Sequence, residues 1–75
     1  MKPLIEYIAK SLVDDPTQVR VAEHGKGKDL RFELTVAEED MGRVIGRGGK
    51  VANAMRALLR VAAARGGVRA TLDIL

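Results

Sequence analysis

A chain of 75 residues can form one small domain, and its core must be aliphatic because Tyr7 and Phe32 are the only aromatic residues. This composition argues against a surface that binds bases mainly by aromatic stacking, and the absence of cysteine excludes disulfides and thiolate metal sites. The formal charge is +3, and the chain has neither a run of roughly 20 apolar residues for a membrane span nor the apolar block of a signal peptide. We therefore expect one domain over residues 1–75 that is soluble and cytoplasmic, with no metal and no cofactor.

The first half of the chain predicts one helix and two strands. Apolar residues recur at helical spacing over residues 4–13, and Pro16 ends this helix because the residue before proline avoids helical angles. Residues 19–23 and 30–36 alternate apolar and polar side chains, which is the period of a strand. Residues 24–29 are too many for a two-residue hairpin, so we expect antiparallel strands joined by a mobile, solvated, basic loop. The second strand should point Leu30, Phe32, Leu34 and Val36 into the core and Arg31, Glu33 and Thr35 outward.

The second half predicts a short helix, a long helix and a third strand. The acidic residues 38–40 favour the start of a helix over residues 41–45, which Gly46 ends. A second helical pattern runs from residue 49 to about residue 65, and two glycines separate it from an alternating strand over residues 68–74. The long helix should bury Val51, Met55, Leu58, Leu59 and Ala62 and expose Lys50, Asn53, Arg56 and Arg60.

The long helix carries a second apolar stripe, formed by Ala54, Ala57, Val61 and Ala64. Small side chains let a neighbouring helix approach closely, so the stripe could be a dimer interface. Alanine is equally a good helix former on a surface that contacts nothing. The small size of the core favours self-association.

Charge is distributed unevenly between the two halves. Residues 1–40 contain six basic and nine acidic side chains, whereas residues 41–75 contain seven basic and one acidic. No Asp or Glu lies between Met41 and Leu72. Isolated basic residues merely keep a protein in solution, but seven without a counter-charge create a positive potential that attracts a polyanion. The second half therefore favours nucleic acid as the partner.

The glycine-rich turn between the two predicted helices, residues 46–50, is the candidate site. Glycine allows positive φ angles and has no Cβ to keep a ligand away from the backbone, while Arg47 and Lys50 add positive charge. A helix that begins near Gly49 would also present amide N–H groups without intrahelical acceptors and the positive end of its dipole. The turn therefore suits a phosphate, although an ordinary helix-turn-helix connection with surface charges would have the same sequence.

The predicted order of elements, with Gly-x-x-Gly over residues 46–49 preceded by Val44 and Ile45, resembles the KH domain of the type II, bacterial topology. The resemblance covers essentially the whole chain. It implies an α+β fold in the order α-β-β-α-α-β, with three helices packed on one face of a three-stranded mixed sheet. It also implies a groove that holds about four nucleotides of single-stranded RNA.

The resemblance assigns roles to individual residues. The loop over residues 46–49 would hold the sugar-phosphate backbone, and Val44 and Ile45 would form an apolar floor under the bases. Side chains of the second strand would form the opposite wall, and the sequence does not choose among them. Gly48 lacks the polar side chain that many KH loops carry there, so phosphate contact falls to Arg47, Lys50 and the backbone. The predicted RNA-binding residues are Arg43, Val44, Ile45, Gly46, Arg47, Gly48, Gly49, Lys50, Asn53 and Arg56.

Three functions compete on these observations. The leading one is non-enzymatic, sequence-tolerant binding of single-stranded RNA, which suits an RNA chaperone or post-transcriptional regulator that acts as a homodimer. A second is an interaction module that works mainly through a partner KH protein. A nucleotide-binding enzyme fits poorly, because a P-loop ending at Lys50 would need glycine at Val44 and a hydroxyl at Val51.

Overall fold

Three helices and three strands follow one another in the predicted order α-β-β-α-α-β. The computed structural model describes all 75 residues. Short 3-10 turns cover Pro16–Gln18, Glu38–Asp40 and Arg47–Gly49. The longest helix has 16 residues, and none of the helices combines the length and apolar composition that crossing a membrane requires. The helices are α1 (Lys2–Leu12), α2 (Met41–Ile45) and α3 (Lys50–Arg65), and the strands are β1 (Arg20–Lys26), β2 (Asp29–Thr35) and β3 (Arg69–Ile74).

The sheet is mixed, with strand order β1-β2-β3. Strand β2 is central because it pairs antiparallel with β1 and parallel with β3. Phe32 and Leu34 of β2 are fully buried under the helices, whereas Arg31 and Thr35 are exposed, so the predicted faces of this strand are confirmed. The core consists of Ile5, Ala9, Val19, Val21, Phe32, Leu34, Val36, Val44, Met55, Leu59, Ala63, Ala70 and Leu72.

The predicted loop over residues 24–29 is wrong, because β1 and β2 form a tight hairpin. Lys26 pairs with Asp29, so only Gly27 and Lys28 lie between the strands. Gly27 has φ +60° and Lys28 does not have a positive φ, which fits the glycine-first type II′ turn. The alternation was lost at Gly25, whose φ of +140° suits glycine because a Cβ there would collide with the Asp29 carbonyl oxygen. Because Gly25 breaks the alternation, the sequence pattern did not predict the last three residues of β1.

The predicted core face of α3 is partly wrong. The helix buries Ala52, Met55, Leu59 and Ala63, which face the sheet. Leu58 was expected in the core but is 53% exposed. The buried face therefore contains two alanines, and the larger apolar side chain of Leu58 lies on a flank that faces solvent.

Asp40 connects the end of α1 to the start of α2. Its side chain is fully buried and accepts hydrogen bonds from the amides of Asp14 and Asp15, both at 3.1 Å. The Arg43 guanidinium lies 3.1 Å from the Asp14 carboxylate and 3.8 Å from that of Asp40. The interpretation of residues 38–40 as simple helix-start charges therefore misses the structural role of Asp40, which holds α2 against α1 just before the glycine turn.

Candidate nucleic-acid interface

The glycine turn reverses the chain between α2 and α3. Gly46 ends α2 with φ +75° and ψ +170°, and its amide donates to the Gly42 carbonyl at 2.9 Å. Gly48 and Gly49 follow with φ angles of +64° and +78°. The Gly49 amide donates back to the Gly46 carbonyl at 3.1 Å, which closes the turn. Three of the four residues of the Gly-x-x-Gly motif therefore require the left-handed half of conformational space, as the sequence predicted.

The glycines differ in what surrounds them. A Cβ at Gly46 would lie 2.5 Å from Cγ2 of Val51, so the turn packs directly on the first turn of α3. A Cβ at Gly48 would meet no atom within 4 Å. Gly46 therefore allows close packing inside the protein, whereas Gly48 leaves its backbone open to a ligand.

Two cations beside the turn have no carboxylate partner. Arg47 lies within the turn and Lys50 begins α3, and both are exposed with no acidic group within 4 Å among the ion pairs of the chain. Both positive charges are therefore available to an anion that approaches the open side of Gly48. The dipole of α3 adds positive potential at the same point.

The two apolar residues before the turn are not equivalent. Val44 is fully buried in the core, so its side chain supports α2 from below and presents no surface to a base. Ile45 is 37% exposed and is the apolar side chain that α2 offers beside the turn. Of the two residues predicted to form the floor, only Ile45 therefore has an exposed side chain.

The flank of α3 that follows Lys50 is attached to the edge of the sheet. Arg56 donates from Nε to the Leu72 carbonyl at 3.1 Å and from Nη1 to the Asn53 amide oxygen at 3.3 Å. Strand β3 is therefore the strand that flanks this side of α3, and its outer edge pairs with no other strand. Arg31, Glu33 and Thr35 of β2 lie on the face of the sheet away from the helices, so the strand nearest this flank is β3, and a wall formed by the second strand stays a prediction.

Arg43 lies on the α2 side of the turn, but its guanidinium is engaged by Asp14 and Asp40. It thus supports the position of α2 in this structure.

No group of three or more His, Cys, Asp or Glu residues could hold a metal ion.

The opposite flank of α3 is an exposed apolar surface. Val61 is 56% exposed, and Leu58, which was expected in the core, lies three residues before it on the same flank. Helical spacing alone could have indicated that Leu58 lies on this flank. At 3.6 residues per turn, Leu58 fits the predicted core stripe and the second apolar stripe equally well. We call this surface the α3 apolar flank; it consists of Ala54, Ala57, Leu58, Val61 and Ala64, all of them exposed.

Comparison with known proteins identifies the family. The sequence pattern of the KhpA/KhpB KH domain matches residues 2–74. The chain belongs to the KhpA/KhpB family of KH domains. RNA-binding protein KhpA of Halalkalibacterium halodurans is 48% identical to it over 75 residues, which cover 100% of this chain and 99% of that protein. RNA-binding protein KhpA of Clostridium acetobutylicum is 45% identical over the full length of both chains.

Solved structures agree with the KhpA/KhpB assignment at the level of the fold. Aquifex aeolicus Era bound to GDP·AlF4⁻ superposes with a TM-score of 0.68 at 18% sequence identity, over 97% of this chain and 28% of Era. Era in complex with MgGDPNP and nucleotides 1506–1542 of 16S ribosomal RNA gives a TM-score of 0.62 at the same identity and coverage. The KH fold of type II topology predicted from the sequence is confirmed.

Proposed function

We propose that this KhpA/KhpB-family chain binds about four nucleotides of single-stranded RNA at the glycine turn, with low sequence specificity. The observation that carries the proposal is the pair of unpartnered cations, Arg47 and Lys50, beside the open backbone of Gly48. A Gly-x-x-Gly loop in KH domains clamps the backbone of about four nucleotides. The relatives named RNA-binding protein KhpA support RNA as the ligand.

The proposed contacts divide into backbone and base contacts. Arg47, Lys50 and the turn amides hold phosphates, which supply affinity without sequence information. Ile45 and the flank of Asn53 and Arg56 lie beside the bases. Because the site has no exposed aromatic ring on which bases can stack, it discriminates weakly among them. Such binding suits an RNA chaperone or a post-transcriptional regulator.

The double substitution Arg47→Asp with Gly48→Asp tests the site. It replaces one cation by two anions beside the phosphates, so we expect RNA affinity to fall below detection in a titration at low salt. The fold should persist, because the Gly48 Cβ position is open and Asp tolerates left-handed angles better than most residues. With about three phosphates neutralised, the wild-type salt slope should be about −2.

A matched control exists at the hairpin. Lys26→Asp with Gly27→Asp makes the same change in net charge, and Gly27 also has a positive φ of +60° with no atom within 4 Å of its Cβ position. This control should bind a short single-stranded RNA within about twofold of wild type. Equal affinity of the Arg47-Gly48 variant and this control would refute the site.

The exposed α3 apolar flank supports a second proposal, that the chain pairs through this surface with a second copy or with another KH protein. Leu58 and Val61 are 53% and 56% exposed and lie three residues apart, so their side chains adjoin on one flank of the helix. Pairing is compatible with RNA binding, because two weak sites joined in a dimer gain avidity.

A further inference from the structure

An open cleft of about 280 Å³ lies on the face of the sheet that points away from the helices, at the end where β1 and β2 form their hairpin. We call it the outer cleft. Its lining includes exposed residues of β2 and β3 that are paired across the two strands, Asp29 with Arg69 and Arg31 with Thr71. Because neighbouring strands are about 4.8 Å apart, these four side chains form a compact cluster.

The outer cleft has an excess of positive charge. Arg31 has no carboxylate within 4 Å among the ion pairs of the chain. Asp29 is the only acidic residue of the lining, and the Arg69 guanidinium lies 3.5 Å from its carboxylate. Lys26 is opposite Asp29 in β1, and the Lys28 carbonyl accepts a hydrogen bond from the Arg69 amide at 2.7 Å. The hairpin end therefore has four basic side chains for one acidic side chain.

The same face becomes acidic beyond the outer cleft. Glu33 follows Arg31 on the outward side of β2, and it is paired in register with Asp73 of β3. Residues two apart on one face of a strand are separated by about 6.6 Å, so a polyanion that ran along the strands would next meet these two carboxylates. The outer cleft therefore suits one or two phosphates at the hairpin end and not a strand along the whole face.

The composition of the outer cleft favours a phosphate over a protein partner. Leu30 is its only apolar residue and is half-buried. The centre of a protein–protein interface is apolar and poor in charged residues, and the outer cleft has neither property. Arginine binds phosphate through two parallel hydrogen bonds, and the hydroxyl of Thr71 supplies a further donor beside Arg31.

The outer cleft and the glycine turn are at different ends of α3 and on different sides of the sheet. Helix α3 has 16 residues and is about 24 Å long, and β3 begins four residues after it at Arg69. At a rise of about 3.4 Å per nucleotide, four nucleotides span about 14 Å. A short strand held at the turn therefore leaves the outer cleft free for a second RNA segment.

We propose that the outer cleft binds a backbone phosphate of a second RNA segment while the glycine turn holds the first. Arg31 and Arg69 contact the phosphate oxygens, and Thr71 donates a hydrogen bond to them. The chain then keeps two RNA segments close together, which raises their effective concentration and accelerates the annealing of complementary segments. This inference rests on the proposed binding of RNA at the turn, and it adds a separate site with its own side chains.

A titration of the ¹⁵N-labelled protein with a uridine tetramer, carried to large excess at low salt, tests the outer cleft directly. Amides of the glycine turn should respond first, and those of Arg31 and Thr71 should respond at higher tetramer concentration. In Arg31→Ala, the Thr71 amide should report an affinity at least about fivefold weaker, while the turn keeps its affinity within about twofold.

The matched control is Arg20→Ala. Arg20 lies on the same face of the sheet at the other end of β1, about 20 Å from Lys26. This variant should keep both responses within about twofold. A peptide of four glutamates should leave the Arg31 and Thr71 amides unchanged. If it shifted them as strongly as the tetramer does, the outer cleft would be a site for acidic protein and the proposal would be overturned.

The annealing of two complementary RNA strands, followed by energy transfer between fluorophores on their ends, measures the consequence for function. Wild-type protein and Arg20→Ala should accelerate annealing equally, and Arg31→Ala should reduce the acceleration at least about threefold. Equal acceleration by all three proteins would overturn the bridging of two segments. Turn amides that shift while the Arg31 and Thr71 amides stay unchanged would overturn the outer cleft alone, whereas a turn that does not respond would overturn the proposed function.

Discussion

The φ and ψ angles of Gly46, +75° and +170°, lie in a region that is essentially restricted to glycine. Val51 occupies the space where a Cβ would be, so strain and collision act together at this residue. Gly48 also has a positive φ, but no atom limits a side chain there. Two glycines of one motif thus have different physical roles, one in packing and one in access.

We therefore predict that Gly46→Ala lowers the free energy of unfolding by about 2 to 4 kcal/mol, from backbone strain and overpacking. Gly48→Ala should cost only about 1 kcal/mol, because left-handed angles are the sole penalty. Urea denaturation followed by circular dichroism measures both. Equal losses in the two variants would show that the contact between Gly46 and Val51 does not constrain the turn.

Among the elements, the connection between α1 and α2 depends on one carboxylate. Asp40 is buried and accepts both the Asp14 and the Asp15 amide. Asp40→Ala leaves these two donors without a partner. It also removes one of the two carboxylates that lie close to the Arg43 guanidinium, the other being that of Asp14. We expect a loss of about 2 to 4 kcal/mol in the free energy of unfolding, since hydrogen bonds to charged groups are the stronger class.

The matched control for Asp40 is Glu39→Ala. Glu39 is an exposed acidic neighbour in the same 3-10 turn, so its loss should change stability by no more than about 0.5 kcal/mol. Thermal unfolding of both variants distinguishes a buried hydrogen-bond acceptor from a simple helix-start charge. Similar melting temperatures would mean that Asp40 acts only as a helix-start charge.

How far the elements could be predicted depended on how clearly each pattern contrasts with its surroundings. The face of β2 was predictable because large apolar residues alternate with charged ones. The extent of β1 was not, because Gly25 breaks the alternation while still fitting the strand. On α3 the buried face contains Ala52 and Ala63, so hydrophobicity alone could not distinguish it from the flank that carries Leu58.

Some features of the candidate site were likewise predictable from the sequence, and others were not. The conformation of the turn followed from its glycines, because positive φ is a local property of the residue. Which strand lies beside α3 is decided by strand order, and the parallel pairing of β2 with β3 has no local signature. The burial of Val44 and the ion pair between Arg43 and Asp14 are contacts between elements distant in sequence, so the sequence did not reveal them.

At the scale of the whole molecule, the two flanks of α3 serve different purposes in our account. Asn53, Arg56 and Arg60 line the side next to β3, and Leu58 and Val61 lie on the other side. A partner centred on Leu58 and Val61 would therefore leave the side of Asn53 and Arg56 open, whereas Ala64 borders both sides because it also lines the cleft between α3 and β3. One helix can hold two protein chains together while each chain keeps its own site.

Val61→Asp tests the pairing proposal. Val61 is more than half exposed, so the charge should disrupt association without unfolding the chain. Wild-type protein should sediment as a dimer and the variant as a monomer in analytical ultracentrifugation. The control variant Lys2→Asp places the same acid at an exposed position of α1 and should remain dimeric. A dimer that survives Val61→Asp would place the interface elsewhere.

The outer face of the sheet provides an internal comparison for RNA binding. Basic and acidic side chains alternate on it: Lys26 is opposite Asp29, and Asp29 is opposite Arg69 in the neighbouring strand. His24 and Glu33 also form a hydrogen bond there. This face has no uninterrupted positive path, whereas the glycine turn and α3 contain no acidic residue.

The most direct test of RNA binding at the turn is a titration of the ¹⁵N-labelled protein with a short single-stranded RNA, followed through backbone amide shifts. We predict that the largest shifts occur at Arg47, Gly48, Gly49 and Lys50, with smaller ones along the β3 side of α3. Amides of Ala22 and Thr35 on the outer sheet face should not move. Shifts concentrated on that face, together with unchanged amide signals in the glycine turn, would contradict RNA binding at the turn.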